Sequence, residues 1–133
     1  MLSSDAAAVT AARLRPLGFP VLVTPNLYGT GGVRDLDWHV LNHPQGWLVV
    51  LRPLSLGTQE YLAHWSIQIE AAAKTEAAAA QVARRVQDTL LHTSRRPTGF
   101  EFMGDTSAGT SGVAFKYTLS FTAHLRQGEE TWL

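Results

Sequence analysis

The chain has 133 residues, 45% of them hydrophobic and 17% charged, a composition that fits one globular domain with a single core. Eleven Lys and Arg balance eleven Asp and Glu, so the chain lacks the basic excess that nucleic-acid binding draws on, and its neutrality is compatible with self-association. The absence of cysteine excludes disulfides, thiolate chemistry and Cys-based zinc sites, no apolar run approaches the ~18 residues that cross a bilayer, and the N-terminus does not read as a signal peptide, so an intracellular product is expected.

Ser3, Ser4 and Asp5 offer N-cap oxygens to an alanine-rich helix that runs to about Arg15, with Val9 and Ala12 inward and Pro16 and Gly18 as its stop. Val21–Val23 reads as a strand, and residues 25–34, with Gly29, Gly31 and Gly32, as a flexible loop. Asp35–Leu41 alternates, with Leu36, Trp38 and Val40 on one side and Asp35, Asp37 and His39 on the other. With the turn at 42–46 and the apolar run Trp47–Leu51, it predicts a hairpin. Residues 55–59 read as a loop.

From Tyr61 the alternation is strict: Trp65, Ile67, Ile69 and Ala71 share one face, and His64, Ser66, Gln68 and Glu70 the other. Thr75 caps a second helix whose Ala79, Val82, Ala83, Val86 and Leu90 fall on one stripe, with Arg95, Arg96 and Pro97 at its end. Phe100 and Phe102 mark a strand, residues 104–112 a polar glycine-rich connection, and Val113–Leu125 a long alternating strand. Residues 126–133 form a polar tail carrying Trp132. The fold class expected is α+β: a single domain over 1–133 with a largely antiparallel (mixed) sheet and two helices packed on one face. The crossover from residues 61–73 through the second helix to Phe100 could make one strand pair parallel.

No arrangement rises above background for catalysis. Gly29–Gly32 precedes no helix N-terminus, so a flexible loop is read in place of a phosphate cradle. The five histidines form no HxxxH pair on a predicted helix, although His64 and His124 would meet if their strands pair. Asp35 and Asp37 suit a solvated edge strand, and Ser107 and Ser111 lie in no nucleophile elbow. Trp38, Trp47 and Trp65 read as core, with an apolar ligand pocket as the alternative. No cofactor, metal or enzyme activity is expected. Two features point outward. Trp132 in a polar tail is either frayed or docked on a neighbouring subunit, and docking is the preferred reading. The charge-poor strand face of Ser66, Gln68, Glu70, Lys116, Thr118, Ser120 and Thr122 is either a solvent side or a surface that lines a lumen or meets another subunit.

Three segments, WLVVLRPL, HWSIQIEAAAKTEAAAAQVARRVQDTLL and VAFKYTLSFTAHL, carry a resemblance over Gly46–Leu125 to the tail terminator proteins of long-tailed bacteriophages. The shared pattern is a short apolar strand, an amphipathic strand ending in "QI", a small-residue stretch, an alanine-rich helix and a final alternating strand. The resemblance implies a protomer of a homo-hexameric ring that caps the tail tube, ends its polymerisation and meets the head–tail connector. It implies a place in the virion after synthesis in the host cytoplasm, no enzyme activity, no cofactor, no membrane and no sequence-specific nucleic acid, although DNA may pass through the ring. Arg84, Arg85, Trp132, Glu70 and Lys116 are the candidate subunit contacts. A related head–tail connector or head-closure protein, or a small-ligand-binding α+β domain, is the alternative.

Overall fold

Strict two-residue periodicity from Leu62 onward can satisfy a backbone only by pairing, and two such segments pair along their whole length. In the computed structural model, which describes residues 1–23, 36–94, 98–108 and 114–133, β4 (Leu62–Ala73) runs antiparallel to β6 (Phe115–Arg126). Twelve residue pairs run unbroken from Leu62 opposite Arg126 to Ala73 opposite Phe115. Around this ribbon stand β1 (Val21–Val23), β2 (Trp47–Val50), β3 (Leu54–Gln59) and β5 (Gly99–Ala108), in the order β1-β2-β4-β6-β5. β3 pairs with β4 farther along the edge that β2 occupies. The sheet is mixed and largely antiparallel, and the fold is α+β as expected.

Side chains alternate across this sheet, so its two faces have different fates. Trp65, Ile67, Ile69 and Ala71 of β4 meet Leu119, Phe121, Ala123 and Leu125 of β6 on one face. Two helices, α1 (Ser3–Leu14) and α3 (Glu76–His92), cover it. α1 contributes Ala6, Ala7, Val9, Ala11 and Leu14, and α3 contributes Val82, Ala83, Val86 and Leu90. Ala12, expected inward, is only half-buried, because the helix turns its Ala11 and Leu14 side to the sheet. Full burial of each large side chain is worth roughly 1.5–3 kcal/mol, and this face holds most of the core. Thr75 caps α3 as expected, its Oγ1 accepting from Ala78 N at 3.2 Å. The α1 cap differs from expectation. Leu2 is the N-cap residue, and the Asp5 carboxylate reaches back to accept from Leu2 N at 2.7 Å.

Four further expectations are corrected. Leu36–Asn42 is a helix, α2, and not a strand, so no 35–51 hairpin forms and Asp37 lies on no strand face. Seven residues make barely two turns, and Leu36, Trp38 and Val40 satisfy either period over so short a span. The helix registers in the bonds His43 N to His39 O (2.7 Å) and Asn42 Nδ2 to Trp38 O (2.9 Å). α2 also lies across the sheet from α1 and α3: Val40 packs on a second cluster of Trp47, Val49, Ala72 and Ala114. Residues 54–59 form a strand where a loop was read. β4 and β5 run the same way with β6 between them, and the parallel pair is β1 with β2. Readings placed on Gly29–Gly32 and the rest of loop 25–34, Asp35, Arg95–Pro97, Gly109–Gly112, Ser111 and Val113 lie outside the described residues.

The C-terminal residues are tied to α1. A 3-10 turn at Glu129–Trp132 places Glu129 Oε1 2.7 Å from Arg13 Nη2, and the N-terminal ammonium donates to Gln127 Oε1 at 2.8 Å. Glu129 also accepts from Arg126 N at 3.3 Å, fixing the turn where β6 ends.

Candidate interaction surface

The face of β4 and β6 away from α1 and α3 carries His64, Ser66, Gln68 and Glu70 beside His124, Thr122, Ser120 and Thr118. Among the described residues α2 covers its β2 end, over Trp47 and Val49. Beside that cluster, with Glu70 opposite Val49, an internal ion pair joins Lys116 Nζ to Glu70 Oε1 at 3.4 Å. Glu70 is among the few buried charged residues, and its Oε2 has no hydrogen-bond partner among the described residues. The two residues named from sequence are thus brought together within one protomer, diagonal across β4 and β6.

The other candidate contacts are scattered. Arg84 and Arg85 are exposed on α3, and Arg85 lies 5.1 Å over the Phe19 ring with a 3.5 Å bond to Leu17 O. Trp132 is 67% exposed at the far end of the sheet, where the Arg126 guanidinium stands 5.8 Å from its ring and 5.9 Å from that of Tyr61. Exposed aromatic rings flanking an arginine have the make-up of interface anchors. The Arg84–Arg85 stretch of α3 and the corner at the end of β6 lie apart from the Glu70–Lys116 pair.

His64 and His124 face each other in direct register, as pairing of their strands requires, with ring centroids 4.2 Å apart. The helical state of 36–42 also creates what the sequence reading excluded, an i, i+4 histidine pair. His39 and His43 stand 6.3 Å apart between centroids, and buried His39 stacks on Trp47 at 5.6 Å. Among the described residues no three His, Cys, Asp or Glu side chains converge on a metal-sized site. A concavity of about 880 Å³ is lined by Ser94, Thr98, Gly99, Phe100, Glu101, Thr122 and His124. The tryptophans do not form a pocket. Trp65 belongs to the core under α1 and α3, Trp47 to the cluster on the opposite face, and Trp38 sits half-buried on α2 beside His39 and His43. Among the described residues no helix is long and apolar enough to cross a membrane.

Sequence reading missed β3, and also the second half of β5, whose residues Gly104–Ala108 were read as part of a connection and instead pair with β6. All six residues of β3 are exposed, including Leu54 at 67% and Leu56 at 54%. Among the described residues it pairs with β4 alone, through the two-residue connection Glu60–Tyr61. β1 and β5, the two ends of the sheet order, also have one strand partner each among the described residues, β1 along only three residues. The outer edges of β3 and β5, unpaired among the described residues, carry backbone groups ready to pair with another chain.

No family model matches the chain, and no curated protein matches it in sequence. A solved structure does match in fold: a chain of the "Virion of native gene transfer agent (GTA) particle", at a TM-score of 0.55 and 17% identity, over 90% of this chain and 85% of that one. The likeness is one of fold.

Proposed function

We propose that this chain is a structural subunit of a phage-like virion, a tail terminator acting as a homo-hexameric ring. The ring caps the tail tube, ends its polymerisation and joins the tail to the head–tail connector. The observation that carries the reading is the fold likeness to a chain of a gene transfer agent virion over nearly the whole of both chains, joined to the resemblance of residues 46–125 to the terminator pattern. Two physical features support it. Among the described residues β3 and β5 each leave one strand edge unpaired, which assembly would close. Its polar sheet face carries hydroxyls, amides and a charge pair neutralised within the chain, a suitable wall for a lumen or a contact with mild polarity. The role is mechanical and assigns the chain no reaction, cofactor or membrane. Its partners are other copies of itself, the tube protein and the connector, and its place is the head–tail junction.

Electron microscopy of particles made without this chain tests the role. Over-long or headless tails are expected, and normal tails joined to filled heads would refute it. Light scattering on the purified chain tests the ring, for which a mass of six protomers is expected. Alanine at Arg84, Arg85 and Trp132 is expected to lower the assembled fraction; unchanged assembly would remove those contacts and leave the role standing.

A further inference from the structure

We infer that neighbouring copies join by antiparallel pairing of β3 with β5, in one defined register. The inference rests on the ring reading and names the seam that closes it.

The outer edges of β3 and β5, each unpaired among the described residues, are built alike. Each carries one bulge, and each bulge is a large exposed apolar residue followed by a glycine. In β3 the register shifts between Ser55 and Gly57, which makes Leu56 the extra residue; in β5 it shifts between Phe102 and Gly104, which makes Met103 the extra residue. Leu56 is 54% and Met103 61% exposed. Gly57 and Gly104 both have φ in the left-handed half of the map, at 116° and 138°, and a Cβ at either would meet nothing within 4 Å. Bulges commonly blunt an edge against pairing, because an extra residue breaks the ladder on a regular partner. Two bulges set opposite one another restore it.

Direction and face then fix the rest. Within one chain β3, β4, β6 and β5 alternate in direction, so β3 and β5 are antiparallel. Rotation about an axis along the strands preserves direction and brings β3 of one copy beside β5 of the next, still antiparallel. Such a head-to-tail contact closes into a ring when the rotation per copy is a whole fraction of a turn with no rise. Side-chain parity selects the register. Ser55 and Asp105 lie on the helix-covered side, opposite Trp65 and Leu119 in their own sheets; Gln59 and Glu101 lie on the polar side, opposite Leu62 and Thr122. Ser55 against Asp105 and Gln59 against Glu101 is one and the same register, and it sets Leu56–Gly57 against Met103–Gly104. Faces match on both flanks and the bulges meet.

The chemistry of the flanks agrees. β3 carries no charge and offers hydroxyl and amide donors at Ser55, Thr58 and Gln59, whereas β5 offers exposed carboxylates at Glu101 and Asp105. Ser55 Oγ accepts from Gly57 N at 3.3 Å, which leaves its proton for a neighbour's carboxylate. No like charges meet, and two exposed apolar side chains are covered at the centre. The seam joins the six residues of β3 by main-chain pairing, with side chains setting the register.

The absence of native cysteine makes the test direct. Two matched double variants, Ser55→Cys with Asp105→Cys and Gln59→Cys with Glu101→Cys, are oxidised as assembled protein and run on a non-reducing gel. A third, Ser55→Cys with Glu101→Cys, puts the thiols on opposite faces. The matched pairs are expected to give a covalent ladder ending at the closed ring, and the mismatched pair a monomer band. An oligomer by light scattering in which neither matched pair ladders, or in which the mismatched pair ladders as readily, overturns the seam and spares the ring. A chain monomeric at every concentration removes both. In the unmodified protein, amide exchange over β3 and β5 is expected to slow on assembly while that over α1 stays unchanged. Equal exchange in β3 before and after assembly also overturns the seam.

Discussion

Removing either partner of the Glu70–Lys116 pair deletes the same 3.4 Å contact, yet the two removals should differ in cost. The lysine side chain is 38% exposed and the glutamate side chain 12%. In Glu70→Gln, Lys116 turns its ammonium to water, and the loss is that of a half-exposed pair, about 0–1 kcal/mol. In Lys116→Met, the carboxylate stays where it is, with Oε2 already lacking a partner among the described residues and Oε1 now losing its own. Leaving a carboxylate in that state costs about 2–3 kcal/mol. For a domain of this size one kcal/mol moves the melting midpoint by about 3–5 °C, so Lys116→Met should melt at least about 3 °C below Glu70→Gln. The double variant Glu70→Leu with Lys116→Met removes charge and orphan together and is expected to return close to the starting stability. Urea unfolding of all four chains at one fixed protein concentration provides the measurement, since assembly would otherwise shift the midpoint. Equal costs for the two single variants, or a larger one for Glu70→Gln, would refute the view that desolvation of the carboxylate governs this site.

Other substitutions probe the fold and its surface by the same measurement. Ile67→Ala, fully buried opposite Phe121, should cost about 2–5 kcal/mol, while Gln68→Ala on the exposed neighbouring position should stay within about 0.5 kcal/mol. Thr75→Ala removes the cap of α3 and should cost about 1 kcal/mol. Gly46→Ala should be far more costly than a surface change, about 2 kcal/mol or more, because φ is 145° there and the new methyl would collide with Val82 Cγ2. Trp132→Ala should leave monomer stability within about 0.5 kcal/mol and lower the assembled fraction in light scattering.

What could be read in advance was whatever water treats differently on two sides. β4 and β6 were legible because Trp65, Ile67 and Phe121 are buried while Ser66, Gln68 and Thr122 are not, and a period of two survives over twelve residues. α3 was legible for the same reason at a period near four, with Thr75 to mark its start. β3 was not. All its residues are exposed, so burial wrote no pattern into Leu54–Gln59, and only hydrogen bonding to β4 makes it a strand. α2 was misread because two turns are too few to separate two periods. With it went the His39–His43 pair, which exists only at helical spacing. The five proposed contact residues were chosen for charge or aromaticity, and those properties do not encode position. The fold unites Glu70 with Lys116 and sets the others elsewhere.

That blind spot has a physical meaning. A strand that gains nothing from its own core is selected, if at all, for what lies outside it, and β3 carries neither the lysine nor the internal proline that commonly guards an open edge. Its single bulge would defeat pairing with a regular strand but not with an edge that carries the same device, as β5 does at Met103–Gly104. The specificity of such a seam would come from mismatch with everything else as much as from the contacts it makes. A bulge-matched edge therefore reconciles two demands on a ring subunit. It keeps free protomers from pairing at random, and it leaves each with one complementary place to go.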